Sequence, residues 1–272
     1  MPFVRHALLS AAIAVFLMIS GLVPAGAQQV PASRGDIAMS FSPVVKSTAP
    51  SVVNVYAKRI VQAQGRRQPF GADPFFRRFF GDKLFGGRPR KRAQNSLGSG
   101  VIVDASGIVI TNNHVINNGT EIRVVLSDKR EFDAELILTD ERTDLAVLRI
   151  KPDGDPLVAL PLGDSDALEV GDLVLAIGNP FGVGQTVTIG IVSALARTRV
   201  GVSSYQFFIQ TDAAINPGNS GGALVDMNGR LIGINTAIFS RSGGSDGIGF
   251  AIPVNMVRSV IEQSLSGASK VV

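Results

Sequence analysis

Cysteine is absent from the 272 residues, and histidine occurs only twice. The first absence excludes disulfides, a thiol nucleophile and cysteine-ligated zinc, so an exported form would rely on its core alone. The second argues against a histidine-rich metal centre, and neither a metal nor another cofactor is expected. Charge is modest, at 18% of residues. Beyond residue 27 no apolar run is long enough to cross a bilayer, so no stable membrane insertion is expected there.

The first 27 residues have a different texture. Arg5 and His6 give a short basic start, Ala7 to Val23 is almost uninterruptedly apolar, and Ala25-Gly26-Ala27 supplies a small-x-small site. That order predicts an export signal cut after Ala27, and hence a periplasmic location. The competing reading is a retained membrane anchor. Cleavage would leave 245 residues, enough for a sizeable core in one or two domains.

The formal charge of +4 is unevenly spread. Residues 58–92 hold eleven Lys or Arg against Asp73 and Asp82, a net +9, so the rest of the exported chain is acidic. Most of this stretch lies in a predicted long loop over residues 60–95, rich in Gly, Pro and Arg and carrying Phe70, Phe75, Phe76, Phe79, Phe80 and Phe85. Loops of such length are usually functional or disordered. Interleaved basic and aromatic residues suit nucleic acid, but export disfavours that partner. A contact between subunits, or a flap over a neighbouring site, is expected instead.

Residues 28–40 read as a flexible lead-in. Ser42-Pro43 offers an N-cap and first helical residue for a short helix ending by Pro50, and valine-rich Ser51–Ala57 predicts a strand. From Leu97 onward, short β-rich runs are separated by Gly, Asp, Asn and Pro turns, which points to an all-β sandwich or barrel. Residues 131–138 read as one such run. Asp104-Ala105-Ser106-Gly107 and Asn228-Gly229 are the clearest turns. A final helix is predicted over 254–265, with Val254, Val257, Ile261 and Leu265 on one stripe. The linker near Pro152–Pro161 divides the chain into an N-terminal barrel (41–160) and a C-terminal barrel with its helix (161–265), followed by a tail (266–272).

Three sites carry chemistry. His114 follows the predicted strand ending at Thr111, and it is the one histidine left after the signal. General-base catalysis needs only one imidazole. Ser220 lies in Gly218-Asn219-Ser220-Gly221-Gly222, where glycines allow a tight turn with inward-facing amides. Such amides stabilise the oxyanion formed when a nucleophile attacks a carbonyl. Gly218, Asn219 and Ser220 are the candidates, with the amides of Gly218 and Ser220 the natural pair. Asp144 begins an apolar run and would orient His114; Asp133 and Asp140 are rivals. The order His, Asp, Ser is that of the chymotrypsin type.

These blocks, together with Gly178-Asn179-Pro180-Phe181-Gly182, Gln210 to Asn216 and Gly247 to Pro253, resemble the HtrA (Deg) serine proteases over roughly residues 41–264. The resemblance implies two six-stranded β-barrels of the chymotrypsin-like fold, with short N- and C-terminal helices. It implies ATP-independent cleavage of unfolded or misfolded proteins in the cell envelope by a homotrimer. The long loop would then reach into neighbouring active sites. Family members usually carry a peptide-binding PDZ domain after the protease, and none is expected within these 272 residues.

By the same likeness, the floor of the primary pocket lies six residues before the nucleophile, at Ala214, beside Ile215. Without a carboxylate there, Lys or Arg preference is not expected. Asn235-Thr236-Ala237-Ile238 would form a wall pairing with substrate backbone, and small to medium aliphatic residues are expected at the cleavage site. Two readings compete: a chaperone or peptide-binding protein using the same cleft with little turnover, and an adaptor acting through the basic loop.

Overall fold

The computed structural model describes residues 40–61, 92–116, 119–152, 154–179, 184–198, 206–216, 218–238 and 245–266. The expected signal, nearly all of the lead-in, the basic aromatic stretch 62–91, Pro180-Phe181-Gly182 and the tail from residue 267 lie outside the described residues. From Ser42 onward the chain belongs to one structural unit.

Helix α1 (Ser42–Thr48) runs into a single 3-10 turn, Ala49–Ser51, where Pro50 sits at the start. Seven strands then form one sheet: β1 (Val52–Val61), β2 (Arg92–Asp104), β3 (Ile108–Asn112), β4 (Glu121–Val125), β5 (Glu131–Asp133), β6 (Glu135–Asp140) and β7 (Leu145–Arg149). Their order is β5-β4-β1-β2-β3-β7-β6, antiparallel throughout. The two ends of that order, β5 and β6, are consecutive in the chain and separated by Ala134 alone. The sheet must therefore curl until its edges meet. Counted as one strand bent at Ala134, whose amide donates to Ile122 O at 2.9 Å, β5 and β6 close a six-stranded barrel. The expected single run 131–138 is thus broken by this bend.

The remaining strands, β8 (Leu173–Gly178), β9 (Thr186–Thr198), β10 (Gln206–Thr211), β11 (Ala223–Val225), β12 (Leu231–Ile238) and β13 (Gly249–Pro253), form a closed barrel in the order β10-β13-β12-β11-β8-β9. Each barrel has its own core. Val53, Val55, Ile102, Val109, Val124, Ala146 and Leu148 fill the first, and Val174, Val192, Ile209, Leu224, Ile232 and Ala251 the second. Period-2 alternation explains the half-exposed strands, as in β4, whereas β3 and the first four residues of β7 are buried on both faces.

The chain crosses from one core to the other at Pro161. Leu160 N donates to Ile102 O in the first barrel at 2.9 Å, while Leu231 N in the second donates to Pro161 O at 2.8 Å. The turn at Asp104–Gly107 forms as its sequence suggests, with Ser106 N on Asp104 Oδ1 and Gly107 N on Asp104 O. Gly107 has φ +102°, and any Cβ there would collide with the Ile150 carbonyl.

Helix α2 (Asn113–Ile116) is a single turn that the strand-and-turn pattern does not announce. Helix α3 (Val254–Leu265) closes the described chain. Its buried face is Val254, Val257, Val260 and Ser264, whereas Leu265 is 60% exposed. The inward stripe is rotated from the expected one because Val260, not Ile261, continues the face set by Val257. Among the described residues no helix is long and apolar enough to cross a membrane.

Candidate active site

His114 enters from α2, directly after the buried strand β3, and Asp144 sits in the turn before β7. β3 and β7 pair with Asn112 opposite Leu145, so the register alone sets the two residues side by side. Asp144 has φ +59°, a left-handed conformation that Asp tolerates better than most residues. Two bonds hold its carbonyl: Asn113 N and Asn112 Nδ2 both donate to Asp144 O at 3.0 Å. Its carboxylate accepts three more. His114 N donates to Oδ1 at 3.0 Å, His114 Nδ1 lies 2.7 Å from Oδ2, and Thr236 Oγ1 donates to the same Oδ2 at 2.7 Å.

The rivals are accounted for differently. Asp140 is buried but serves its own turn, accepting from Arg142 N at 3.0 Å and Thr143 Oγ1 at 2.8 Å. Asp133 stands 92% exposed opposite Arg123.

Ser220 comes from the second barrel, between β10 and β11. Its hydroxyl donates to Thr236 O at 3.2 Å. Thr236 therefore touches both Asp144 and Ser220. It is the extra residue of a bulge in β12, where Asn235 pairs with Ala251 and Ala237 with the adjacent Phe250. A bulge re-aims a side chain, and here it turns Thr236 onto Asp144.

The turn around Ser220 is tightly committed. Asn219 N donates to Asn216 O at 2.9 Å, Gly221 N to Asn235 O at 2.8 Å and Gly222 N to Asn219 O at 2.9 Å. Of the three expected oxyanion residues, Asn219 thus has its amide engaged. Those of Gly218 and Ser220 have no backbone acceptor among the described residues. Gly218 has φ +98° and Gly221 φ +83°, and a Cβ on Gly221 would run into Ser99 O and Thr111 Oγ1. The Asn219 side chain is fully buried against Gly178, and neither polar atom has a hydrogen-bond partner among the described residues.

Around the expected pocket, Ala214 O accepts from Thr188 Oγ1 at 2.9 Å. Ile215 is buried and lies against Gly249, where a Cβ would come within 2.8 Å of its Cδ1. Asn235 corrects one expectation: its backbone N and O are both spent on the Ser220 turn, and its Nδ2 donates to Ala223 O at 2.9 Å. It supports the nucleophile turn instead of a substrate strand. β11 stops pairing with β12 at Ala223–Ile234, so Thr236, Ala237 and Ile238 continue past it; the side chains of Ala237 and Ile238 are outside the described residues.

Sequence reasoning missed Ser99 as part of this site, gave Thr111, Asn112 and Gly249 no role beyond the motifs that contain them, and missed the bond from Thr236 to Asp144. Gly98-Ser99-Gly100 did carry a hint, since glycines inside a strand mark close approach of another backbone.

Two β-barrels with a His–Asp pair on one and a serine turn on the other define a trypsin-like serine peptidase architecture. The profile of the trypsin-like peptidase domain matches residues 98–234. The chain is 45% identical over 278 residues to periplasmic serine endoprotease DegP of Escherichia coli (strain K12), covering 94% of this chain and 58% of the relative. It is 50% identical over 227 residues to the periplasmic pH-dependent serine endoprotease DegQ of the same organism, covering 82% and 48%. A solved structure of the HtrA-type protease AlgW with a decapeptide superposes with a TM-score of 0.68 at 51% identity, covering 84% of this chain and 68% of that one. The chain belongs to the trypsin-like peptidase family, within its HtrA (DegP/DegQ) group, and spans about half the length of the curated relatives it matches.

Proposed function

We propose that the chain is an ATP-independent serine endopeptidase that degrades unfolded or misfolded proteins in the periplasm, assembled as a homotrimer. The observation that carries the reading is the Asp144 carboxylate, which gathers His114 and, through Thr236, Ser220. The names of its relatives, periplasmic serine endoproteases, support the reaction class and the compartment.

His114 donates a hydrogen bond from its Nδ1–H to Asp144, which keeps the proton on Nδ1 and leaves Nε2 as the base. The Ser220 hydroxyl turns from Thr236 O toward that nitrogen, loses its proton to it and attacks the scissile carbonyl. The resulting oxyanion takes the amides of Gly218 and Ser220. His114 then protonates the leaving amine, and water hydrolyses the acyl-enzyme by the same route in reverse. Asp144 remains ionised. Ala214 is small and uncharged and stands beside the buried Ile215, which supports a preference for small to medium aliphatic side chains, and the strand Thr236–Ile238 offers an edge to substrate backbone.

The test is degradation of casein by the exported chain and by its Ser220→Ala variant, without ATP or added metal. Cleavage by the first and none by the second is the expected result. Casein left intact by both, although bound, would replace the protease with a peptide-binding protein.

A further inference from the structure

Ser99, on β2 of the first barrel, is fully buried, and each of its polar groups has a partner at or beside the nucleophile turn. Its amide donates to Ser220 O at 2.8 Å. Its hydroxyl donates to Gly218 O at 2.6 Å and accepts from Asn179 N, at the end of β8, at 2.8 Å. Its carbonyl accepts from Thr111 Oγ1 at 2.7 Å. Thr111 is on β3, three residues before His114.

We infer that Ser99 is the positioning residue of the oxyanion hole, an assignment that rests on the serine-peptidase reading above. The geometry is specific. Gly218 O and Ser220 O are the first and last carbonyls of a three-residue turn, and Ser99 holds both, one through its hydroxyl and one through its amide. With both ends pinned, the peptide between Asn219 and Ser220 cannot rotate freely, and the Ser220 amide keeps its direction. The Gly218 carbonyl is held toward the first barrel, which constrains a residue whose φ of +98° only glycine adopts readily.

Ser99 also spans the two halves of the site. The base and its carboxylate stand on the first barrel and the nucleophile on the second. The chain of contacts from Thr111 through Ser99 to Gly218 and Ser220 fixes one against the other. The packing leaves no slack, since a Cβ on Gly98 would fall 3.1 Å from Ser220 O and one on Gly221 would strike Ser99 O. Donors fixed before reaction cost no reorganisation when charge develops, and a misplacement of about 1 Å can cost about 100-fold in rate.

Ser99→Ala deletes the hydroxyl and leaves the triad contacts of Asp144 untouched. It is compared with wild type, Ser99→Thr and Ser220→Ala on an aliphatic peptide substrate, together with affinity for a peptidyl boronate whose tetrahedral adduct occupies the oxyanion site. The expected result for Ser99→Ala is a fall in kcat of about 10- to 100-fold. KM and the pH midpoint should stay unchanged, boronate affinity should fall in parallel, and Ser99→Thr should recover the rate. A merely structural role would lower the folded fraction and leave kcat per folded enzyme unchanged; that outcome, or a rise in KM at constant kcat, overturns the inference. Should Ser99→Ala fail to fold, Ser99→Cys keeps the shape with a weak donor and must show the same split. Wild type no faster than Ser220→Ala would instead sink the peptidase reading and this assignment with it.

Discussion

Thr236 donates its hydroxyl to Asp144 at 2.7 Å and accepts the Ser220 hydroxyl on its carbonyl at 3.2 Å. One residue, displaced by a strand bulge, thereby joins the carboxylate of one barrel to the nucleophile of the other.

The side-chain half of that link is separable. Thr236→Val keeps shape and backbone but removes the donor, and a hydrogen bond to a charged group contributes about 1.5–3 kcal/mol. The expected outcome is a loss in kcat/KM of about 10- to 100-fold, with Thr236→Ser close to wild type. Steady-state hydrolysis of a peptide substrate reads it.

The carboxylates should rank clearly. Asp144→Asn should lower kcat by about four orders of magnitude, because the amide favours the wrong imidazole tautomer. Asp140→Asn should cost thermal stability through its lost turn contacts, with far less effect on turnover. Asp133→Asn, at an exposed site, should alter neither. Kinetics and melting curves on the three variants separate these effects.

The proposed substrate pocket has Ala214 at its floor, beside Ile215, which is buried in the second barrel's core. Ile215→Ala should shift cleavage toward larger residues such as Leu, Phe or Met, changing selectivity by about 10-fold or more. Ala214→Asp should bring in Lys and Arg. Profiling cleavage sites in a peptide library shows both; unchanged profiles would displace the pocket from these residues.

Acid sensitivity follows from three surface turns. The Ser106 hydroxyl and amide hold Asp104 below the ordinary aspartate value of 3.8, the Arg130 amide does so for Asp128, and the Asn255 side chain for Asp164. Lowered folded values mean that the unfolded chain binds more protons at low pH. Their stabilisation is therefore complete above about 3.8 and drains away as pH falls through the folded values. Replacing all three by Asn should lower stability at neutral pH, with the difference shrinking as pH falls below about 3.8, as read by urea unfolding.

The site was legible in the sequence where residue type restricts chemistry. His114 stood alone after the expected signal, Ser220 sat among glycines, and Asp144 preceded an apolar run. What the sequence did not show depends on register between distant segments. The bond from Ser99 to Gly218 spans 119 positions, and that from Thr236 to Asp144 spans 92. The bulge that aims Thr236 is a matter of pairing between β12 and β13, with no residue of unusual type to mark it. The same limit explains Asn235, which looked like a substrate-facing strand residue until its partners in the Ser220 turn were placed. In the fold, the short runs and turns were readable, but the bend at Ala134 and the rotation of α3 were decided by packing.

The most direct test of the central claim is intact-mass analysis after treatment with a fluorophosphonate, which bonds covalently to an activated serine. A single adduct mapping to Ser220, absent in Ser220→Ala and formed far more slowly in His114→Ala, is the predicted result. A folded chain that stays unmodified, or carries the adduct on another serine, would contradict the assignment of Ser220 as the nucleophile.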